Sequence, residues 1–219
     1  MLQLLISFHQ YLIKNKYFMN IISKIKKKDG KFNTKEVDFV LKVLENSKKK
    51  DIDFVKKLEK AFCKLYNYKY AIACNSGTSG LHSALFALNL NKGDEVIIPG
   101  LTVVMDAYAA IHLGLKPVFC DVDPDTFLID SKNIQKKITS KTKAIILVSL
   151  QGLPVDIDPI KEIAKQKNIK IIEDNAQDFL GKYKRRLSGN SGDIGVWSFE
   201  NKKHLSGATE GGIIGVGGR

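Results

Sequence analysis

Three short segments of this sequence carry side chains that could do chemistry together. The first is Asn75-Ser76-Gly77-Thr78-Ser79-Gly80, placed between an apolar run and the helical stretch Leu81–Leu90. Small residues let a backbone approach a ligand, Thr78 and Ser79 can cap the helix, and its start offers free N–H groups to an anion. The second, Ile171–Gln177, puts Glu173 and Asp174 at the end of a strand. Two buried carboxylates there are expensive unless a cation answers them. The third, Gly192–Leu205, sets Ser198, Lys202, Lys203 and His204 just past another strand. Each segment alone has a plainer explanation: turn geometry, an Asp capping the next helix, two surface lysines. The first is not a Walker loop, since no Gly-Lys-Ser/Thr follows it.

The surrounding pattern says what must position them. Apolar residues from Asn33 to Leu65 fall at helical spacing, which predicts two amphipathic helices broken around Lys48–Asp53. Beyond Tyr68, short β-branched runs alternate with helical stretches such as Ser79–Leu90 and Ile157–Gln166. The runs are Tyr70–Cys74, Glu95–Pro99, Pro117–Val122, Ala144–Ser149, Lys170–Glu173, Gly195–Phe199 and Gly212–Val216. Continuous apolar strands alternating with helices predict an α/β fold of three layers, αβα, around a mostly parallel seven-stranded sheet. Ligands of such sheets gather at the carboxyl ends of the strands. All three segments follow a strand, so the fold brings them to one edge.

Composition narrows the class. The chain has 219 residues, 44% hydrophobic and 26% charged, with only 5 prolines, which excludes a disordered tail, a collagen-like repeat and a disulfide miniprotein. Cys63, Cys74 and Cys120 form no CxxC pair and have no histidine at ligand spacing, so buried reduced thiols in a cytoplasmic protein are expected and no metal site. The net charge of +12 invites a nucleic-acid reading. Against it, only Arg185, Arg186 and Arg219 are arginines, and 15 lysines against 7 acidic residues crowd the first 60 positions. Lysine lacks the planar fork that reads bases, so a solvated lysine-rich face is expected. The apolar opening, residues 1–18, is interrupted by His9, Gln10 and Lys14, short of the roughly 18 residues of a membrane span. It lacks the basic start and small-residue cleavage site of a signal peptide, and Met19 is a second candidate start. His82 and His112 read as core or helix-surface residues. Gly215-Val216-Gly217-Gly218 has the wrong spacing for a dinucleotide loop.

One ligand accounts for all three segments. Pyridoxal phosphate needs a phosphate cup, a carboxylate for its pyridinium nitrogen and a lysine for its aldehyde, and that is their order along the chain. With these pieces the sequence resembles the nucleotide-sugar aminotransferase (DegT/StrS) family of fold-type I pyridoxal-phosphate enzymes. The resemblance runs from about Phe54 to Gly212 and rests on NSGTSGLHSAL, GDEVIIPGLT, KPVFCDVDPDT, TKAIILVSLQG, IIEDNAQ, SGDIGVWSF, NKKH and EGG. It implies that residues 51–219 are the cofactor-binding large domain, with the family's smaller C-terminal domain absent, behind a lysine-rich helical extension over 1–50.

The resemblance also implies roles. Lys203 matches the lysine attached to the cofactor and Lys202 its solvated neighbour. Asp174 matches the partner of the pyridine nitrogen, Ala176 the small residue under the ring, and Gln177 the contact to the phenolic oxygen. Gly77, Thr78 and Ser198 match phosphate contacts, and Ser79 joins them in the cofactor-binding set. Where the family stacks an aromatic ring on the cofactor, this chain has Val103, with Tyr108 as a candidate substitute. Lys203 and Glu210 stand one residue further apart than in the usual family pattern. The implied activity moves an amino group, from glutamate, to a nucleotide-linked keto-sugar for polysaccharide or amino-sugar synthesis. A cytoplasmic homodimer with neither nucleic-acid nor membrane partner is implied with it. Two alternatives stay open: a non-catalytic remnant of such an enzyme and a lysine-rich binding protein.

Overall fold

The computed structural model describes residues 34–46, 53–207 and 209–217. The expectations for the opening 1–18 and for the chain break, Asp53 apart, fall outside them. The chain divides into two compact units, Met1–Phe54 and Val55–Arg219. In the first, helix α1 (Thr34–Asn46) half-buries Val37 and Leu41 on one face, and Val43 on another.

The second unit takes up α2 (Phe54–Tyr66) from Val55 onward and continues through β1 (Tyr70–Cys74), α3 (Gly77–Ala87), β2 (Glu95–Pro99), α4 (Met105–His112) and β3 (Lys116–Cys120). It goes on through α5 (Ser131–Lys137), β4 (Thr142–Val148), α6 (Ile157–Lys167), β5 (Lys170–Asp174), β6 (Lys182–Tyr183), β7 (Arg186–Leu187), β8 (Ile194–Ser198) and β9 (Gly212–Val216). Seven strands form one sheet in the order β1-β9-β8-β5-β4-β2-β3. β9 alone runs against its neighbours β1 and β8, and every other pairing is parallel. The αβα architecture is therefore as the sequence predicts. The differences are local: β3 and β4 begin one and two residues earlier than expected, and α3 starts at Gly77.

Both sheet faces are covered because the strands carry apolar residues on both sides of the pleat. Val96, Ile98, Ile146, Ile172, Val196 and Ile214 meet Leu81, Leu85 and Ala110 of α3 and α4. Ile97, Ile145, Leu147 and Ile171, one residue out of phase, meet Ile134 of α5 and Ile160 of α6. On this second face α2 adds Phe62 and Tyr66, whose rings lie 4.8 and 4.7 Å from that of Trp197. The two-residue strands β6 and β7 form a hairpin that the sequence pattern does not announce. Arg186 and Lys184 tie it to Asp158 at the start of α6, holding that carboxyl down at about 2.

Of the three cysteines only Cys120 is buried; Cys63 and Cys74 are half-buried, which corrects the expectation of three buried thiols. All three are free. Among the described residues no helix is long and apolar enough to cross a membrane, and no cluster of three metal-ligating side chains occurs.

Candidate active site

The loop after β1 is built by a capping box, and Ser76, not Thr78 or Ser79, is the cap. Its Oγ accepts the Ser79 N–H at 3.1 Å, and Ser79 Oγ accepts the Ser76 N–H at 3.2 Å. That leaves the N–H groups of Gly77 and Thr78, at the positive end of α3, without a partner in the helix. Two glycines let the loop lie against the sheet. A Cβ on Gly77 would fall 2.8 Å from Ser198 Cβ, and one on Gly212 would fall 2.6 Å from Ser76 O. Ser76→Ala removes one arm of the box and is expected to lower unfolding stability by about 1 kcal/mol, read from urea denaturation. An unchanged midpoint would show the cap to be dispensable.

The carboxylates of β5 part company because side chains alternate along a strand. Glu173 points to the α2 face, where it accepts N–H groups from Gly189 at 2.8 Å, Ser191 at 2.7 Å and Gly192. Burial pushes its carboxyl up, and these three donors draw it back. The answer to Glu173 is thus a nest of backbone N–H groups rather than the expected cation. Asp174 points to the α3–α4 face. Its Oδ1 accepts the Ala176 N–H at 2.8 Å, and its other neighbour is Asp106 of α4. Burial raises both carboxyls, Asp106 the more, because the Asp174 charge adds to it.

The third segment is the loop joining β8 to β9. Phe199 N–H donates to Gly211 O at 2.7 Å, Gly207 N–H to Phe199 O at 2.8 Å and Asn201 N–H to Thr209 O at 2.9 Å. This ladder carries Lys203, half-buried, while Lys202 and His204 are exposed. The three segments converge on a cavity of about 300 Å³ at the carboxyl edge of the sheet. Gly77, Thr78, Asp174, Ala176, Gln177, Ser198 and Lys203 all line it. Ser79 does not, since its hydroxyl turns back to Ser76 and Asn75. Gln177 is steadied by the Gln151 N–H on its Oε1 at 2.9 Å. Val103 reaches the cavity, whereas Tyr108 stacks on His112 and is not among the lining residues. A larger groove of about 430 Å³ at the amino edge is lined by Lys161, Lys165, Lys170 and Asp193. It holds one solvent-exposed ion pair, Lys170 with Asp193, and strand polarity favours the carboxyl edge.

The model of the DegT/DnrJ/EryC1/StrS aminotransferase family matches residues 31–216. The chain belongs to that family. The match starts inside the stretch that the sequence resemblance left out. A GDP-perosamine synthase from Caulobacter vibrioides is 40% identical over 180 residues, 82% of this chain and 48% of that relative. An aminotransferase from Psychrobacter cryohalolentis superposes with a TM-score of 0.82 at 37% identity, over 84% of this chain and 47% of the other. An E. coli GDP-4-keto-6-deoxy-D-mannose-3-dehydratase solved with hydrated PLP gives 0.79 at 29% identity, over 84% and 49%. The chain thus spans about half the length of the relatives it matches. This DegT/StrS member also brings to the cavity Thr102, Asp106, Glu200 and Glu210, which sequence reasoning did not place there. For Asp106 a signal exists: an acidic residue four positions after Thr102, in a helix otherwise apolar on its inner side.

Proposed function

We propose that this chain binds pyridoxal phosphate at the carboxyl edge of its sheet and serves an aminotransferase reaction on a nucleotide-linked keto-sugar, with glutamate as amino donor. The observation that carries the reading is that Lys203 and Asp174, from separate elements, line one cavity with the start of α3. The residues fit the cofactor. An anion faces where a cationic ring nitrogen would lie, an amine shares the cavity, and unpartnered N–H groups at a helix start suit a phosphate. Pyridoxal phosphate, when bound, supplies an aldehyde for a lysine amine and a protonated ring that withdraws electrons.

The chain's own residues do the rest. Gly77 and Thr78 N–H groups and the Ser198 hydroxyl hold the phosphate. Asp174 keeps a proton on the ring nitrogen, since an opposite charge nearby favours the charged form. Ala176 leaves room beneath the ring, and Gln177 contacts the phenolic oxygen. Lys203 would hold the cofactor through its amine, and its free amine is placed to take and return a proton as base and acid. The relative named GDP-perosamine synthase supports a GDP-linked sugar. Phe86, Val104, Tyr108 and Ile111, about half exposed or more along α3 and α4, suit a homodimer. A cytoplasmic place in polysaccharide synthesis, with neither nucleic acid nor membrane as partner, completes the reading.

Adding pyridoxal phosphate to the full chain, reducing with borohydride and locating the modified lysine tests this reading. Label on Lys203 is expected, and no label overturns it. Amino transfer from glutamate to a GDP-linked keto-sugar then tests the reaction. Asp174→Asn is expected to weaken cofactor binding about ten- to a hundredfold, the worth of a hydrogen bond to a charged group. An unaltered titration curve would remove Asp174 from its role.

A further inference from the structure

We propose that Asp106 is a positioning residue: its carboxyl keeps a proton, uses it to donate a hydrogen bond to Asp174 and so leaves Asp174 as the single anion of the acidic pair. The argument starts from the lone pairs. Asp106 is 1% exposed, and its Oδ2 accepts the Thr102 hydroxyl at 2.6 Å. Its Oδ1 is buried and finds no donor among the described residues. The neighbour it does have is Asp174, itself 5% exposed. Both carboxyls line one cavity, and two such groups side by side away from water resist ionising together, while a buried acceptor without a donor is costly. One proton on Asp106 Oδ1 resolves both problems, turning the orphan acceptor into a donor to Asp174.

The surroundings decide which partner keeps it. Asp174 has the Ala176 N–H and the Lys203 charge, and both favour its anionic form. Asp106 has only a neutral hydroxyl. The titratable groups of the cavity are Asp106 on α4, Asp174 on β5, and Glu200, Lys203 and Glu210 on the β8–β9 loop; α3 contributes none. With one proton between them, the pair presents one negative charge, which matches one cationic ring nitrogen. That last step rests on the cofactor reading above; the proton does not.

Infrared spectra of the full chain without cofactor at pH 7 test the proton directly. Wild type minus Asp106→Asn is expected to show the stretch of a protonated carboxyl, and a difference spectrum without it overturns the proposal. Thermal melts give the sign. A carboxyl held protonated only when folded stabilises fully below the unfolded value of about 4 and loses that contribution as pH rises. The melting temperature of Asp106→Asn should therefore gain on wild type from about pH 4 upward. Titration with pyridoxal phosphate reads the positioning. Asp106→Ala should bind about tenfold or more weakly, and Asp106→Asn, which keeps a donor toward Asp174, should restore most of that loss. Equal weakness in both variants overturns the positioning role. If no variant binds, wild type included, the cofactor reading falls while the infrared difference still decides the proton.

Discussion

Replacing Lys203 by alanine is expected to abolish borohydride labelling of the chain by pyridoxal phosphate and to cut amino transfer by about 10⁴-fold or more. The size follows from what one side chain does twice. It provides the amine that holds the cofactor, and general acid–base catalysis by a positioned group is worth about 10²–10⁴-fold alone. The adjacent Lys202 is the internal control. It is exposed on the same loop and absent from the cavity lining, so Lys202→Ala should label and turn over within a few-fold of the parent. Lys203→Arg retains the charge but offers no nucleophilic amine, and it should fail like alanine. Peptide mass mapping after reduction checks all three. Label surviving in Lys203→Ala would move the attachment point elsewhere.

Glu173→Ala is expected to weaken the fold rather than the chemistry. Three backbone N–H groups, from Gly189, Ser191 and Gly192, converge on this carboxylate. The buried Gly189 N–H would be left unpaired at about 1–3 kcal/mol, and the half-buried Ser191 and Gly192 N–H groups would lose their partner at a smaller cost. Together these costs are a sizeable part of the roughly 5–15 kcal/mol by which a whole domain is stable. The 189–192 turn is also fixed from beneath, because Tyr68 donates its hydroxyl to Gly189 O. Urea denaturation followed by circular dichroism should show a strongly lowered midpoint for the alanine variant. Glu173→Gln keeps one acceptor and sets an amide donor against a backbone donor, so a lowered midpoint is expected. A parent-like midpoint for Glu173→Ala would mean that the turn holds itself.

These two neighbours on β5 show what the sequence could reveal. Both stand out as acids ending an apolar strand, and the resemblance singles out Asp174. That they face opposite sides of the sheet follows from alternation alone. What waits on Glu173's side depends on the loop before β8, which no local pattern announces. The strands themselves were legible because their apolar runs serve two cores at once, as in Ile145 and Ile146. The β6–β7 hairpin was not, since two-residue strands are too short to have a period. Asp106 stayed hidden for a different reason. In the first turn of α4 it looks like an ordinary acid favoured by the helix dipole. Only the placement of α4 over the end of β5 turns it into a partner for Asp174.

The position of β9 sets an order of assembly. Among the described residues β1 is an edge strand whose sole neighbour in the sheet is β9, some way beyond the lysine loop. During synthesis, then, the cup that follows β1 has no rigid backing until Gly212–Val216 have left the ribosome and threaded in between β1 and β8. Pairings so distant in sequence form slowly, and open strand edges invite association in the meantime. A growing chain should consequently lack a complete cup until β9 lies between its two neighbours.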